Sequence, residues 1–238
     1  MADEIYVNYE HNDKGVLLWA VKFPGAFSRG ATFAEAAAKM PAVCRQYRLW
    51  SGTGTPPTGE EVKVFNEFKT DLAVEDADSC ALFAEEKLPM TMIEYISLKS
   101  LCAKSARDFM TEYLSIPQKD RGLLKSRKTF YGRIPTTARE MMEHTNNTLA
   151  YYAAGVGIEM ENLPDFVENR LQLLNKLEEL PLFLSNRVYT APDGELWTVK
   201  KVLRRLLWHD RIHARALYRH AVTFWAKERI ANPFGFSR

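Results

Sequence analysis

Cysteine is scarce in this sequence, and its placement excludes several kinds of site. The 238-residue chain has 3 cysteines. Cys44, Cys80 and Cys102 are scattered and lack the Cys-x-x-Cys spacing of a zinc or redox site. Separated thiols in odd number are typical of a reducing cytosol. We therefore predict neither a disulfide framework nor a cysteine nucleophile.

Long apolar runs and a strong net charge are also missing. No stretch approaches the roughly 20 apolar residues of a membrane helix. The N-terminal sequence MADEIYVNYE lacks the basic region, followed by an apolar one, of a secretory signal. The formal net charge is only +2, so a nucleic-acid partner is not expected. These features predict a soluble cytoplasmic protein without membrane or nucleic-acid partners.

Histidines stand on the apolar face of the stretch over residues 199–224. At ~100° per residue, one stripe carries Val202, Leu206, His209, His213, Leu217, His220 and Phe224. His209 and His213 are four positions apart, which places their Cβ atoms ~6 Å from each other. A buried imidazole without a partner costs ~1–3 kcal/mol, and one shared metal ion would satisfy two at once. A single histidine on such a face is more commonly a core residue bonded to a carbonyl or carboxylate.

Other sequence features limit which reactions and which histidines are expected to accompany the pair His209 and His213. Zinc proteases use the pattern His-Glu-x-x-His, whose Glu is the general base, whereas Asp210 follows His209 here. Protease activity is therefore not expected. His220 lies two turns past His213, so we predict a core or supporting role for it. His11 falls in a predicted hairpin turn and is assigned no chemistry.

The first part of the chain has the pattern of a small α/β unit. Alternation over residues 5–9 and the β-forming run over residues 16–23 predict a hairpin. A capping box opens a predicted helix over residues 32–47. The sequence SGTGTPPTG over residues 51–59 predicts irregular structure, and residues 62–68 alternate as another strand. The predicted order is β-β-α-β.

The segment PGAFSRGATFAEAAAKM, after the two predicted strands, resembles the Pro-Gly…Gly-x-Thr-x-x-Glu-Ala segment of the HicB-like small α/β fold. The resemblance implies a HicB-like domain over residues 1–70. In HicB antitoxins this fold accompanies a DNA-binding module and binds a toxin. The sequence has no ribbon-helix-helix or helix-turn-helix pattern, so we expect a structural or regulatory role instead of toxin neutralisation.

Residues 71–89 are acidic and mixed, and we interpret them as a linker to a second domain over residues 90–238. Four amphipathic helices are predicted there from capping and periodicity. They cover about residues 91–116, 137–154, 162–181 and 198–224. The loop over residues 118–134 carries six basic residues. It is either a solvated loop or a surface that meets an anionic substrate.

Two of these helices resemble those of the DinB/YfiT-like metal-binding four-helix bundles. WTVKKVLRRLLWHDRIHARAL resembles the last helix of that superfamily, and RIPTTAREMMEHTNNTLAYY resembles its second helix. The resemblance implies an α+β chain with a DinB-like up-and-down four-helix bundle, and it implies the metal ligands His144, His209 and His213. Many relatives continue with Arg-Gly-Gln after the second histidine of the last helix. This chain has Ala214-Arg215-Ala216 instead, so the roles of those family residues are not transferred.

Three histidine ligands leave a coordination position for water or substrate, as in catalytic zinc or nickel sites. We therefore expect a divalent metal, zinc or nickel in the first place, and a small-molecule substrate. The resemblance favours a low-molecular-weight thiol and an S-transferase reaction, and water would instead give a hydrolase. The alternative is a non-catalytic, stress-related metal- or ligand-binding module in which the HicB-like unit mediates assembly.

Two further residues are candidates for supporting roles at this site. Asp210 and Tyr151 are expected to orient an imidazole and to donate a proton to the electrophile, with ordinary surface or core packing as the alternative. Met142 and Leu149 lie on the side of their helix away from His144. This side would pack on the N-terminal unit or form the seam of a homodimer.

Overall fold

The computed structural model describes residues 4–52, 61–129 and 132–237. It is a mixed α+β structure, as the sequence predicts, and it divides into two units, Met1–Glu85 and Glu86–Arg238. Residues 53–59 of the predicted irregular segment lie outside the described residues. Within the described residues, no helix combines the length and apolar composition needed to cross a membrane.

A four-stranded sheet and one α-helix make up most of the described part of the first unit. Its elements are β1 (Ile5–His11), β2 (Val16–Ala20), β3 (Phe27–Gly30), α1 (Phe33–Ser51) and β4 (Val62–Lys69). The strand order is β3-β2-β1-β4, with β4 parallel to β1 and the other neighbours antiparallel. All five residues of β2 are buried, as expected of a central apolar strand. The short strand β3 was not predicted, because four residues, FSRG, carry no readable alternation.

In the second unit, the described residues form four long helices and two small two-stranded sheets. The helices are α2 (Met92–Ser115), α3 (Ala138–Gly155), α4 (Phe166–Glu178) and α5 (Val199–Phe224). The sheets pair β5 (Lys128–Thr129) with β6 (Gly132–Arg133), and β7 (Tyr189–Thr190) with β8 (Leu196–Trp197). Four 3-10 turns complete the described elements of the chain, at Val74–Asp76, Ala84–Lys87, Phe183–Ser185 and Lys227–Arg229.

The helix starts lie where the capping residues predict them. The side chains of Thr91, Thr137 and Thr198 each accept a hydrogen bond from the backbone amide three residues later, at 3.1 Å. Such a bond satisfies one of the free amides of a first turn. The exception is α4, whose cap is Asp165 and not the predicted Asn162. The Asp165 carboxylate accepts from the amides of the two residues that follow Phe166.

Contacts of α2 with its two neighbours define the directions of three helices. Near their starts, α2 and α5 are joined by Glu94 and Lys200, 3.0 Å apart, and the Cys102 thiol donates to the Leu203 carbonyl at 3.5 Å. These two helices are therefore parallel. In contrast, later residues of α2 meet earlier residues of α4, so α4 is antiparallel to α2. The contacts join Phe109 to Phe166, Cys102 to Arg170 and Tyr95 to Leu174.

The remaining helix, α3, runs antiparallel to α5. Tyr152 near its end contacts Trp197 just before α5 begins, with ring centroids 5.6 Å apart. The chain then returns along α3 through residues 156–165, where the Asn162 amide donates to the Asn147 carbonyl at 2.9 Å. The order is therefore up-down-down-up, and the predicted up-and-down order is wrong. The return of the chain through residues 156–165 places α4 parallel to α3, which helix periodicity alone does not reveal.

Candidate metal centre

Three imidazole rings from α3 and α5 meet at one point. The Nε2 atom of His209 lies 3.2 Å from Nε2 of His144 and 2.9 Å from Nε2 of His213. The ligand atoms of the three histidines all lie within 4.8 Å of one another. They are therefore close enough to hold one metal ion. These are the three residues that the sequence pointed to, and we refer to them below as the histidine triad.

The register between α3 and α5 brings the triad together. A Cβ atom at Gly155 would lie 2.6 Å from the Trp197 ring, so only glycine lets this ring pack against the end of α3. His144 lies eleven residues before Gly155 along α3, and His209 lies twelve residues after Trp197. At 1.5 Å per residue both distances are about 17 Å. The antiparallel helices therefore bring these imidazoles to the same level.

Thr148 favours the tautomer of His209 that carries its proton on Nδ1. The Thr148 hydroxyl donates to the Thr145 carbonyl at 2.9 Å, which uses its one proton. Its oxygen lies 3.3 Å from Nδ1 of His209 and is therefore placed to accept a hydrogen bond from a protonated Nδ1. The lone pair of His209 is then on Nε2, which faces the other two histidines. This arrangement is typical of metal-binding histidines, whose second nitrogen donates to a neighbouring group.

Burial keeps the triad uncharged. The pKa values of His209 and His213 are both held well below the usual range, first by burial and then by the charge that neighbouring histidines would carry. Burial also lowers the pKa of His144. Neutral imidazoles are the form that binds metals. Around neutral pH the triad is therefore ready to bind a cation without first releasing protons.

The spacing of the nitrogens fits a transition metal. Zinc–imidazole bonds of 2.0–2.1 Å with tetrahedral angles put ligand nitrogens about 3.3 Å apart. The observed separations of 3.2 Å and 2.9 Å are close to this value. Ring nitrogens this close repel each other unless protons or a cation lie between them. The donor set and its geometry therefore fit one divalent ion.

Asp210 is bound to a guanidinium group in the interior of the bundle. Its two carboxylate oxygens accept from Nη1 and Nη2 of Arg170, at 2.9 and 2.8 Å. Both residues are buried, and Arg170 Nη1 also donates to the Cys102 carbonyl. The structure thus places Asp210 against α4 and α2, where it anchors α5. The group that bonds His209 is Thr148.

Tyr151 lies at the surface end of α3, where its hydroxyl donates to Oε2 of Glu195 at 2.6 Å. Partial burial and this bond raise its pKa, which makes the hydroxyl a weaker acid. The other oxygen of Glu195 lies 2.8 Å from Nζ of Lys201. Burial lowers the pKa of Lys201 to about 8, against the opposing effect of Glu195. Tyr151 thus fastens the β7–β8 hairpin to α3.

The two other histidines lie outside the triad. His11 is in β1, and its Nε2 is 2.9 Å from Oε1 of Glu67 on β4. His220 is half-buried near the end of α5. Neither belongs to a group of three or more potential metal ligands among the described residues. Leu149 is buried in the single chain, so it gives no support to the predicted homodimer seam.

The supporting roles of Thr148 and Arg170 were not predicted from the sequence. Thr148 is four residues after His144, a spacing that puts both on one helix face. Arg170 interrupts the apolar stripe of α4 between Phe166 and Leu173. A basic residue on an apolar stripe indicates a buried ion pair. The position of Arg170 is therefore the sequence feature from which its pairing with Asp210 could have been predicted.

No protein-family model, curated protein or solved structure matches this chain. The resemblances to DinB/YfiT-like bundles and to the HicB-like fold therefore stay predictions.

Proposed function

We propose that this chain is a metal-dependent enzyme that binds one divalent transition-metal ion through His144, His209 and His213. The observation that supports this most directly is the convergence of three Nε2 atoms from two helices. Structural zinc sites use four protein ligands, whereas catalytic ones use three and bind water or substrate in the remaining position. A site with three protein ligands is therefore better suited to catalysis than to holding the fold together.

Zinc and nickel are the proposed metals. The donor set contains only imidazoles, which suit zinc, nickel, copper and iron. Calcium and magnesium prefer oxygen ligands, and the carboxylate next to His209 along the chain, Asp210, is bonded to Arg170. An oxygen-rich coordination shell from this group of residues is therefore not expected.

The proposed reaction is S-transfer from a low-molecular-weight thiol to an electrophile. A bound divalent metal would lower the pKa of a thiol or a water molecule, which creates a nucleophile at neutral pH. The thiol assignment rests on the resemblance to DinB/YfiT-like proteins. With an alkyl halide, the sulfur–carbon bond forms as the carbon–halogen bond breaks, halide leaves and the thiol proton passes to solvent. The same site with water would make a hydrolase.

The residues of the chain have defined roles in this proposal. Burial keeps the triad neutral, and the Thr148 hydroxyl directs the lone pair of His209 toward the other two rings. The Arg170–Asp210 ion pair holds the histidine-bearing turn of α5 in place. Tyr151, bonded to Glu195, is retained only as a candidate proton donor.

The test is turnover by zinc-loaded and nickel-loaded protein. Glutathione, bacillithiol and mycothiol are each incubated with an alkyl halide or an epoxide, and thioether formation is followed by mass spectrometry. We expect the native chain to exceed the His209→Ala variant with at least one thiol. The matched control is His220→Ala, which removes an imidazole from the same helix outside the triad and should leave the rate unchanged.

The second candidate function is a non-catalytic metal-binding module. It is favoured by the burial of His209, which is 7% exposed, because a buried ligand restricts the approach of a substrate. In that case the chain binds metal, and the native and His209→Ala proteins show equal background rates with all three thiols and with water.

A further inference from the structure

A surface pocket of about 600 Å³ lies between the segment that follows α2 and the first turn of α3. Its lining residues are Pro117, Gln118, Lys119, Asp120, Arg121 and Arg139. Pockets that bind small molecules span roughly 300–1,000 Å³, so its size suits a small ligand. Arg139 is five residues before His144, about 140° away around α3. The pocket is therefore separate from the histidine triad.

Positive charge exceeds negative charge in this pocket. Three of its six lining residues are basic and one, Asp120, is acidic. The Asp120 carboxylate is bonded to Arg139, with oxygens 2.5 Å from Nε and 3.1 Å from Nη2. Neither Lys119 nor Arg121 has a carboxylate partner in the described part of the chain. Two positive charges on this concave surface therefore have no ion-pair partner among the described residues.

Arg121 is held in place by aromatic rings. Its guanidinium carbon lies 4.3 Å from the ring centroid of Phe224 and 5.7 Å from that of Trp225. Stacking of this kind restrains the planar group while its edge keeps N–H donors for a ligand. Among the described residues its guanidinium makes one hydrogen bond, to Gln118 Oε1, which is long at 3.5 Å. Arg121 is thus a preorganised anion-binding group with unused donor capacity.

Lys119, four residues past the end of α2, also lines the pocket and is held by that helix end. Its ammonium group donates to the carbonyl of Leu114 at 3.0 Å and to that of Ile116. These two bonds leave one of its three N–H groups, and the ammonium also lies 5.0 Å from the ring centroid of Tyr113. Partial burial lowers the pKa of Lys119, and the nearby charge of Arg139 lowers it further. The charges of Lys119 and Arg139 are close enough to disfavour one another, and a bound anion would relieve this repulsion.

We propose that this pocket is a binding site for a small anion that carries phosphate or carboxylate groups, with Arg121 and Lys119 as its direct ligands. Arg121 offers a planar pair of donors, which matches two oxygens of one such group. Lys119 adds a point charge from the end of α2. The sequence left the role of the basic loop over residues 118–134 open. This proposal assigns small anions to it as ligands.

Calorimetric titration of the full chain with pyrophosphate and with citrate tests this proposal. Ionic strength is held constant with sodium chloride. We expect saturable 1:1 binding of at least one probe, and weakening of about tenfold or more in Arg121→Gln, because hydrogen bonds to charged groups are lost. Lys125→Gln is the matched control: it removes the same charge from the same loop outside the pocket, and should change affinity by less than about twofold.

The Asp120→Asn variant controls for misfolding, because a variant that binds more tightly than the native chain must be folded. Loss of this carboxylate should tighten binding by about threefold, since the repulsion of the ligand is removed and Arg139 is released. A preference for pyrophosphate or for citrate decides between a phosphate and a carboxylate ligand. The proposal is overturned if neither probe saturates, or if Arg121→Gln and Lys125→Gln weaken binding equally. His209→Ala should bind both probes normally, so this result is independent of the metal centre.

Discussion

At the residue scale, burial shifts the pKa values of several polar side chains, and these shifts affect both the metal site and the stability of the chain. Each imidazole of the triad has a lowered pKa because burial disfavours its charged form. Burial also raises the pKa of the Glu112 carboxyl on α2. The first effect prepares a cation site, whereas the second leaves an acid that the fold must accommodate in its protonated form.

Thr148 is expected to control the metal affinity of His209. Thr148→Val keeps the shape of the side chain but removes the oxygen that accepts a hydrogen bond from Nδ1 of His209. Loss of such a supporting bond typically lowers metal affinity by about 10- to 100-fold. Zinc competition with a chromophoric chelator measures this effect. Thr148→Ser should retain near-native affinity, and a Thr148→Val variant that binds zinc as tightly as the native chain would refute the role of the hydroxyl.

Glu112 should make the stability of the chain fall as pH rises. Its ordinary pKa of 4.5 is raised well above that value on folding, because the side chain is buried. Between the two pKa values the unfolded chain loses a proton that the folded chain keeps, so the free energy of unfolding decreases with increasing pH. Below pH 4.5 both states are protonated and this effect disappears.

Urea unfolding of Glu112→Gln across pH 4.5–8 tests this expectation. The variant cannot ionise, so its stability should decline less with pH than that of the native chain and should exceed it at neutral pH. Glu143→Gln, at an exposed position of α3, is the control for removal of a charge. Parallel pH profiles for native and Glu112→Gln proteins would show that Glu112 is not buried in its protonated form.

At the element scale, capping and periodicity predict the helices well, while the chain path between them is not predictable. Thr91, Thr137 and Thr198 are caps because their short side chains reach a backbone amide three residues away, a local interaction. The return segment over residues 156–165 is held by Asn162 to the carbonyl of Asn147. That contact depends on the fold as a whole, so the sequence suggested an alternating bundle instead.

The Arg170–Asp210 pair should be a strong link between α4 and α5. Arg170→Met leaves the Asp210 carboxylate buried without a partner, which costs about 3–5 kcal/mol of unfolding free energy. The double variant Arg170→Met/Asp210→Leu should recover much of this loss, because no charge remains buried. Chemical denaturation of chelator-treated proteins measures both values. A single variant within about 1 kcal/mol of the native chain would contradict the role assigned to this pair.

At the scale of the whole molecule, the sequence predicts the α+β class and the three histidines, and it does not predict what surrounds them. His209 and His213 are readable because imidazoles on an apolar stripe are unusual, whereas His144 was implied by the resemblance of its helix to those of the DinB/YfiT-like bundles. The register that brings His144 to this pair depends on a long-range contact between Gly155 and Trp197. The triad and the residues that support it all belong to the unit Glu86–Arg238.

Metal analysis of single histidine variants tests the central claim most directly. The chain is loaded with zinc, passed through a desalting column, and its metal content is measured by mass spectrometry. We predict one zinc per native chain and per His220→Ala chain, and loss of most of the metal in His144→Ala, His209→Ala and His213→Ala. X-ray absorption should show nitrogen ligands at about 2.0–2.1 Å. Full occupancy in each of the three triad variants would contradict the account.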